Sequence, residues 1–413
     1  MQTQLADFIA ATAEGQEADR ILRSCVHCGF CTATCPTYQL LGDEDDGPRG
    51  RIYLIKSVLE GHAATEKTQQ HLDRCLTCRS CETTCPSGVD YHRLLDIGRH
   101  EVEKQVPRSL SQRLLRRAIT TIMPQRQLFT PLFKLGQLFR PVLPNTLKEK
   151  IPTKPETLLS APTETHNRRM IMLEGCVQPA MAPNTNTATL RVLNAIGISL
   201  ESTPKTGCCG ALRHHLNAQE QALADMQINI DGWAEQLQQG AEALVVNASG
   251  CGAQIKDYGK LFANNPNYAE KAALVSSKAF DLSEILLQEE QAIIAKLETG
   301  SSSLQGKKVA FHSPCTLQHG QSIKGTVERL LIAAGCELTS VADSHLCCGS
   351  AGTYSIFQPE LSKQLRANKL DALTAEQPEL IATANIGCQS HMQGAAEIPV
   401  VHWIELLDQA ING

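Results

Sequence analysis

Two runs of four cysteines near the amino end share one spacing and could bind metal. In each run the cysteines are separated by two, two and three residues, and a proline follows the last cysteine. The runs are Cys25, Cys28, Cys31, Cys35 and Pro36, and, 50 residues later at every position, Cys75, Cys78, Cys81, Cys85 and Pro86. In this pattern three cysteines of a run hold one iron–sulfur cluster, and the fourth ligates the other. The spacing therefore predicts two [4Fe–4S] clusters, one on Cys25, Cys28, Cys31 and Cys85, and one on Cys75, Cys78, Cys81 and Cys35.

The same spacing disfavours zinc and disulfide bonds. Zinc commonly takes two C-x2-C pairs and leaves no role for a third evenly spaced cysteine and a Cys-Pro. Disulfide frameworks are typical of small secreted chains, whereas this chain has 413 residues and an odd count of 17 cysteines. The first twenty residues are acidic and lack the features of an export signal. We therefore expect a reducing, cytoplasmic location.

A basic segment follows the cysteine runs. From Lys104 to Lys150 the chain has ten Lys or Arg and one acidic residue, a local charge of +9, against −14 elsewhere. Apolar residues alternate with these cations, and Pro124 and Pro131 are expected to break the segment. Such a stretch could lie on an anionic membrane surface, dock on a partner, or pack its apolar face onto its own domain. We interpret residues 104–165 as a basic, proline-rich linker and expect peripheral association with the cytoplasmic membrane.

Composition excludes two other classes of function. No window approaches the 18 consecutive apolar residues that a membrane-spanning helix needs. A net charge of −5 and two tryptophans give no indication of nucleic-acid binding.

Residues 1–103 contain few β-branched alternations, which favours a mainly helical, ferredoxin-like domain around the two clusters. There, Arg49 and Arg51 could pair with the clusters or face solvent.

The rest of the chain contains an internal repeat marked by cysteines. Each copy has a single cysteine, a Cys-Cys-Gly tripeptide (CCG) beginning 32 positions later, and a distal cysteine preceded by glycine. The first set is Cys176, Cys208, Cys209 and Cys251, and the second is Cys315, Cys347, Cys348 and Cys388. The first cysteines and the CCG pairs of the two copies are 139 residues apart. We therefore expect two tandem CCG domains, over residues 166–300 and 301–413.

Apolar runs and helical patterns alternate within each copy. Runs at 170–173, 243–246, 308–311 and 380–384 precede cysteines, and helical patterns cover 218–237 and 359–373. Strands alternating with helices make a parallel sheet, and such sheets bind ligands beyond the carboxyl ends of their strands. The sequence thus predicts an α+β multidomain chain, in which Cys176, Cys251, Cys315 and Cys388 converge beside the CCG loops.

Three roles stay open for the CCG cysteines. They could supply a further metal or cluster site, pack as small buried hydrophobes, or exchange thiols with disulfides. Packing fits Cys336, which has no counterpart in the other copy. Four histidines near the second set could bind metal, donate protons or be structural: His312, His319, His345 and His391.

Several segments carry a resemblance to a known family. CVHCGFCTATCPTYQLLGDE, DGPRGRIYLIK, SGCGA and DSHLCCGSAGTY resemble the CCG-domain iron–sulfur subunits of membrane-linked flavin dehydrogenases. That group serves anaerobic glycerol-3-phosphate dehydrogenase, lactate utilisation, heterodisulfide reductase and bacterial glycolate oxidase, and the resemblance to the glycolate oxidase members covers nearly the whole chain. It implies that FAD-containing partner subunits oxidise glycolate to glyoxylate, and that this chain passes single electrons toward a membrane quinone.

The resemblance also leaves points open. In heterodisulfide reductase relatives, a CCG domain can hold a noncubane cluster with a fifth cysteine three residues after the last; here Gln254 and His391 occupy those positions. Whether a third cluster binds is therefore left open.

The chain has no complete G-x-G-x-x-G, so we expect FAD on the partner and no catalytic residue here. Alternatives are an equivalent subunit acting on lactate or glycerol 3-phosphate, a stand-alone electron-transfer module, or a thiol–disulfide reductase using its CCG cysteines.

Overall fold

The chain forms two compact units in the computed structural model, which describes residues 1–144, 148–149, 151–153, 157–301 and 303–413. Unit 1 consists of Met1–Arg117 with His345–Lys369, and unit 2 of Ala118–Ser344 with Leu370–Gly413. The mixed helical and sheet-containing fold predicted from the sequence is confirmed. Within the described residues, no helix combines the length and apolar character needed to cross a bilayer.

Unit 1 is helical, and no strand occurs among its described residues. Its helices are Asp7–Ala10, Ala13–Ser24, Pro36–Leu41, Pro48–Leu59, Glu66–Asp73, Ser80–Thr84, Tyr91–Gln105, the start of Leu110–Ile122, Tyr354–Phe357 and most of Pro359–Thr374. Short 3-10 turns cover Phe30–Thr32 and Glu44–Asp46.

Local sequence signals explain where these helices begin. Thr12 accepts a hydrogen bond from the Gly15 N–H at 3.0 Å and so caps the helix Ala13–Ser24. The helices that follow the first cysteine run, Pro36–Leu41 and Pro48–Leu59, both have proline in the first turn, where a missing N–H costs nothing.

A close helix crossing builds the core of unit 1. A Cβ atom at Gly98 would lie 2.5 Å from Ile55 Cγ1, so only glycine lets the helices Pro48–Leu59 and Tyr91–Gln105 approach this closely. Fully buried leucines surround the crossing: Leu22, Leu59, Leu72, Leu94 and Leu95. This core fixes the segments that carry the cysteine runs.

Unit 2 contains two four-stranded parallel sheets with the same strand order. In the first sheet the order is β2-β1-β3-β4, and in the second it is β6-β5-β7-β8. The strands are β1 Arg168–Met172, β2 Ile198–Ser202, β3 Leu244–Val246, β4 Ala279–Asp281, β5 Lys308–His312, β6 Glu337–Leu338, β7 Leu380–Thr383 and β8 Val400–His402. The matching order confirms the duplication inferred from the cysteines. Sequence reasoning found β1, β3, β5 and β7 but missed the other four.

Helices connect or flank the strands of unit 2. They are Arg126–Phe139, Gln178–Met181, Pro183–Ala195, Ala211–His215, Gln219–Gln238, Ser249–Lys256, Tyr258–Leu261, Ala269–Lys278, Leu282–Gln288, Glu290–Thr299, Cys315–Gln318, Thr326–Ala333, Ile386–Gln393 and Trp403–Asn412, with the ends of Leu110–Ile122 and Pro359–Thr374. A 3-10 turn covers Arg140–Val142.

One hydrophobic cluster in unit 2 draws on both copies of the repeat. Its members from the first copy include Met170, Val192, Leu193, Val245, Leu282 and Leu286, and those from the second include Val309, Leu330, Leu331, Trp403, Ile404 and Leu407. The helices Pro183–Ala195 and Trp403–Asn412 pack together, and Arg191 Nε donates to Asp408 Oδ1 at 2.8 Å between them. The two sheets therefore share one core.

The segment interpreted as a linker is largely helical. The expectation that Pro131 would break it is wrong, because the helix Arg126–Phe139 continues through that proline. Proline lacks the N–H group that would donate to the carbonyl four residues back, but the residues of the neighbouring turns keep their backbone hydrogen bonds. Pro155 and Lys150 of this segment lie outside the described residues. The domain boundaries stay a prediction; the helix Tyr91–Gln105 runs across residue 103.

Candidate functional site

Two cavities in unit 1 gather the eight cysteines of the runs. The first cluster cavity is lined by Cys25, Cys28, Cys31 and Cys85, and the second cluster cavity by Cys35, Cys75 and Cys78. Cys81 and Tyr91 line both cavities. The second cavity thus takes three cysteines of the second run and the last of the first, and the first cavity takes three of the first run together with Cys81 and Cys85. The crossed ligand sets stay a prediction.

The two cysteine loops repeat the same backbone turn. Two residues after the first cysteine of each run, His27 and Thr77 have φ of 56° and 52°. Two residues further on, Gly29 and Arg79 have φ of 85° and 62°. Left-handed conformations at non-glycine residues are uncommon and are held in place only by the surrounding structure. Their recurrence at matching positions shows that each run folds into one loop shape, which carries three cysteines.

Burial and crowding raise the pKa values of two of these thiols, Cys31 and Cys81. Burial first, and then the neighbouring Cys25, Cys85 and Cys28, raise the pKa of Cys31 to about 11. Burial and the nearby Cys78 and Cys75 raise the pKa of Cys81 well above its usual value. Four mutually repelling sulfurs in one cavity are the donor set of a cation-rich group such as a [4Fe–4S] cluster, whose binding displaces the thiol protons. The residues present therefore fit two such clusters.

A buried ionic network lies beside the second cluster cavity. Arg51, whose side chain is 1% exposed, donates to the His71 carbonyl at 2.7 Å and to Thr37 Oγ1 at 3.1 Å. The equally buried Asp46 accepts from Arg74 at 2.7 Å and lies 3.0 Å from His71 Nδ1. Burial alone would lower the pKa of Arg51, but Cys75, Tyr91, Cys35 and Asp46 raise it. Arg51 therefore does not face solvent: it places a permanent cation at this cavity.

Hydrogen bonds reach the sulfur of Cys75 from two donors. The Tyr91 hydroxyl donates to Cys75 Sγ at 3.7 Å, and the Thr77 N–H donates to the same atom at 3.5 Å. Burial first, then Cys75, raises the pKa of Tyr91 well above its usual value, so the hydroxyl keeps its proton. Spacing gave no signal for Tyr91, Asp46 or His71, because they lie outside the cysteine runs.

The first cluster cavity is nearer to solvent. Cys28 is exposed, and the neighbouring Val26 and Phe30 are 67% and 61% exposed. Arg49 lines this cavity, but its side chain is 37% exposed and its Nε pairs with Glu44 Oε1 at 2.6 Å. The two arginines that the sequence singled out thus belong to different cavities, and only one of them is buried.

In unit 2 the first CCG set forms a chain of thiol contacts. Cys176 contacts Cys208, Cys208 contacts Cys209, and Cys209 contacts Cys251. Hydrogen bonds from Cys176 and Cys209 lower the pKa of Cys208 well below its usual value. Donating those bonds, together with burial, raises the pKa values of Cys176 and Cys209. The structure thus brings the predicted first set together.

The four cysteines of the second CCG set do not all belong to the same compact unit. Cys315 and Cys388 belong to unit 2, and Cys347 and Cys348 to unit 1. All four are buried. The Gly349 N–H donates to Cys347 Sγ at 3.4 Å, and Asn385 Nδ2 donates to Cys388 Sγ at 3.6 Å. The predicted convergence of this set stays a prediction.

The remaining cysteine and the histidines have simpler settings. All 17 cysteines fall among the described residues and all are free thiols. Cys336 lies in the shared core of unit 2, where burial raises its pKa to about 11, in keeping with its interpretation as a small hydrophobe. His312 and His319 are buried, and His345 and His391 are half-buried.

Comparison with protein-family models identifies both halves of the chain. Residues 21–89 match a 4Fe-4S dicluster domain, and residues 170–256 and 309–393 match a cysteine-rich domain designated CCG. The first match covers both cysteine runs, and the other two cover the two copies of the repeat. They agree with the two cluster cavities and with the duplicated sheets.

Comparison with curated proteins gives full-length relatives. The chain is 54% identical to the glycolate oxidase iron–sulfur subunit of Escherichia coli (strain K12) over 100% of both chains. It is 31% identical to the probable glycolate oxidase iron–sulfur subunit of Bacillus subtilis (strain 168) over 94% of both. Lactate utilization protein A of Geobacillus thermodenitrificans is 24% identical over 56% of this chain and 95% of that protein.

Proposed function

Because the chain belongs to the family of glycolate oxidase iron–sulfur subunits, we propose that it relays electrons within a glycolate-oxidising complex. An FAD-containing partner subunit oxidises glycolate to glyoxylate, and this chain passes the electrons one at a time toward a membrane quinone. The observation that carries the proposal is the pair of cavities. Cys25, Cys28, Cys31 and Cys85 line the first together with Cys81, and Cys35, Cys75, Cys78 and Cys81 line the second.

We assign the ligands by that grouping. Cys25, Cys28, Cys31 and Cys85 hold the first cluster, and Cys35, Cys75, Cys78 and Cys81 hold the second. A bound [4Fe–4S] cluster supplies one-electron chemistry, which allows a flavin reduced by two electrons to be reoxidised in two single-electron steps. The protein residues keep the sulfurs in place, limit the access of water and set the charge around each cavity.

The helix Arg126–Phe139 supports contact with the cytoplasmic membrane. Leu128, Leu132, Leu135 and Phe139 form a stripe at helical spacing and are all exposed. Lys134 adds positive charge, and Arg126 lies at the start of the helix, where it pairs with Glu174. An exposed apolar stripe flanked by cations is typical of helices that lie on anionic lipid. This helix would place the protein peripherally at the membrane, where a quinone can be reached.

Iron counting tests the central proposal. The chain purified without oxygen should contain about eight irons, as two four-iron clusters require, and should give cluster EPR signals on reduction. Cys28→Ser and Cys78→Ser should each perturb one cluster, whereas Cys336→Ser should keep the full iron content. Colourless protein without acid-labile sulfide would exclude the proposed function.

The substrate is tested with the assembled complex. Glycolate should reduce the clusters of this chain only when the FAD-containing subunit is present. Reduction by lactate or glycerol 3-phosphate, and not by glycolate, would move the proposal to one of the alternative dehydrogenases without changing the electron-transfer role.

The lowered pKa of Cys208 favours a second candidate function, thiol–disulfide exchange at the first CCG set. The Cys208 thiolate would attack a substrate disulfide, and Cys176 would resolve the mixed disulfide, leaving an internal disulfide and two released thiols. Disulfide reduction that is lost in Cys208→Ser and kept in Cys28→Ser would support this candidate. Failure of the unmodified chain to reduce a disulfide substrate would remove it.

A further inference from the structure

The two cluster cavities differ in the hydrogen bonds that reach their sulfurs. At the second cavity, Cys75 Sγ accepts from the Tyr91 hydroxyl at 3.7 Å and from the Thr77 N–H at 3.5 Å. At the first cavity, no other residue in the described part of the chain donates a hydrogen bond to the sulfurs of Cys25, Cys28, Cys31 or Cys85. The loops have matching backbone turns, so the difference comes from what surrounds them.

The second cavity also has more positive charge beside it than the first cavity has. The cation at the second cavity, Arg51, is buried, and a second guanidinium, that of Arg74, shares the carboxylate of Asp46 with it. The cation at the first cavity, Arg49, is partly exposed and has Glu44 as its own counter-ion. Two cations against one carboxylate leave an excess of positive charge beside the second cavity, where water screens it least.

Both differences act on the reduction potential. A cluster gains one negative charge on reduction, so donors to its sulfurs and nearby cations stabilise the reduced form. Water at the exposed Cys28 also stabilises the negative charge of a reduced cluster. Water molecules are mobile, however, whereas a fixed hydroxyl keeps its hydrogen bond on one sulfur.

We propose that Tyr91, acting through Cys75, is a positioning residue that raises the reduction potential of the second cluster above that of the first. With both clusters bound, an electron on the first cluster would pass to the second. No bond would form or break in this transfer, and the hydroxyl proton would stay on Tyr91. The inference rests on the proposed binding of two clusters and adds a direction to the electron transfer.

A redox titration of the complete chain tests this order. Anaerobically purified protein is reduced stepwise with dithionite and mediators, and each cluster is followed by EPR. We expect two one-electron waves, with Cys78→Ser altering the higher-potential wave and Cys28→Ser the lower. Tyr91→Phe keeps the ring between the cavities, removes only the hydroxyl, and should shift the higher wave to lower potential while leaving the other in place.

Tyr53→Phe is the matched control. Tyr53 is 61% exposed on the helix Pro48–Leu59 and should move neither wave. The inference is overturned if Tyr91→Phe moves neither wave or both equally, or if the higher wave is the one that responds to Cys28→Ser.

A second measurement does not depend on the variant retaining its clusters. After exchange of the unmodified protein into D2O, pulsed EPR should show deuterium coupled more strongly to the reduced second cluster than to the first. Equal couplings would overturn the inference. Loss of both clusters from the unmodified chain would instead count against the proposed function, so the two failures are distinguishable.

Discussion

At the scale of single residues, Asp46 is the buried charge on which the second cluster cavity depends. Its carboxylate holds Arg74 at 2.7 Å and His71 at 3.0 Å, and lies 3.5 Å from Arg51. Breaking a buried ion pair by removing one partner leaves an uncompensated charge, which costs far more than the intact pair contributes.

We expect Asp46→Asn to destabilise unit 1 by about 3–5 kcal/mol, because Arg51 stays buried without its carboxylate. The measurement is a urea titration followed by iron–sulfur absorbance, which reports unit 1, since both tryptophans lie in unit 2. Asp45→Asn is the control and should change stability by less than about 0.5 kcal/mol. Equal midpoints for the two variants would contradict the role given to Asp46.

His402 is a second residue whose ionisation bears on stability. It is fully buried; its Nε2 lies 2.8 Å from the Asn247 carbonyl, and its Nδ1 accepts from the Ile404 N–H. This arrangement suits the neutral ring with its proton on Nε2, and burial lowers the pKa of His402 from 6.5 to about 4. The unfolded chain therefore binds this proton at a higher pH than the folded chain does.

It follows that the contribution of His402 to stability is complete above pH 6.5 and is lost as the pH falls from about 6.5 to about 4. The loss amounts to about 3 kcal/mol for a shift of this size. Burial also raises the pKa of Glu405, which acts with the opposite sign, so the quantity to measure is the difference between the parent and His402→Gln. Urea unfolding followed by tryptophan fluorescence at several pH values gives it; a difference independent of pH would refute the assignment. His62→Gln, at an exposed position, serves as the control.

At the scale of elements, the helix Arg126–Phe139 has an apolar stripe that faces away from its core. Phe133 is buried on one side, whereas Leu132 and Leu135 are each about half exposed. A helix that merely tied two domains together would have no need for these leucines.

We predict that Leu132→Asp combined with Leu135→Asp weakens binding to vesicles containing anionic lipid by at least about tenfold. The reason is that burying one leucine side chain is worth about 1.5–3 kcal/mol and a charge reverses that gain. Co-sedimentation measures the partition. Ile332→Asp, at a residue 58% exposed on the helix Thr326–Ala333, should bind like the parent. Equal loss in both proteins would mean that the effect is not specific to this helix.

At the scale of the whole molecule, the duplicated halves of unit 2 cannot be separated without exposing their common core. Trp403 and Leu407 of the second copy belong to the same hydrophobic cluster as Val192 and Leu193 of the first. A single copy would leave this surface in water, at about 25 cal/mol for each Å² exposed.

Residues 166–300 expressed alone should therefore lack a cooperative thermal transition. Circular dichroism and the fluorescence of Trp233 would report this, with the complete chain as the reference. Cooperative melting of the fragment at the temperature of the complete chain would show instead that the first copy is an independent domain and would support the boundary at residue 300.

The role of a residue could be predicted from the sequence when that role depends only on residues nearby in the chain. The cysteine runs carry their own spacing, so the two iron–sulfur clusters could be predicted from the amino-acid sequence alone, while the crossed ligand sets stay a prediction. The strands β1, β3, β5 and β7 are long apolar runs or directly precede cysteines, and these were predicted too.

Roles set by tertiary packing could not be predicted in this way. Asp46 sits in an acidic loop that looks solvated, yet the fold buries it against Arg51 and Arg74. The strand β2, with the sequence ISLES, is too short and too polar to stand out, and it forms because β1 offers a parallel edge. Pro131 alone predicts a break in the chain's helix, yet the turns on either side of it keep the helix Arg126–Phe139 continuous.

The crossed grouping of cysteines also bears on how the protein fails in air. On the proposed assignment, an oxidant that dismantles the solvent-facing cubane releases Cys85, which follows the short helix Ser80–Thr84 that bears Cys81 of its neighbour. Injury to one cluster would thus loosen a segment that also anchors the other. In air, bleaching of the solvent-facing cluster should therefore come first and speed the loss of its neighbour.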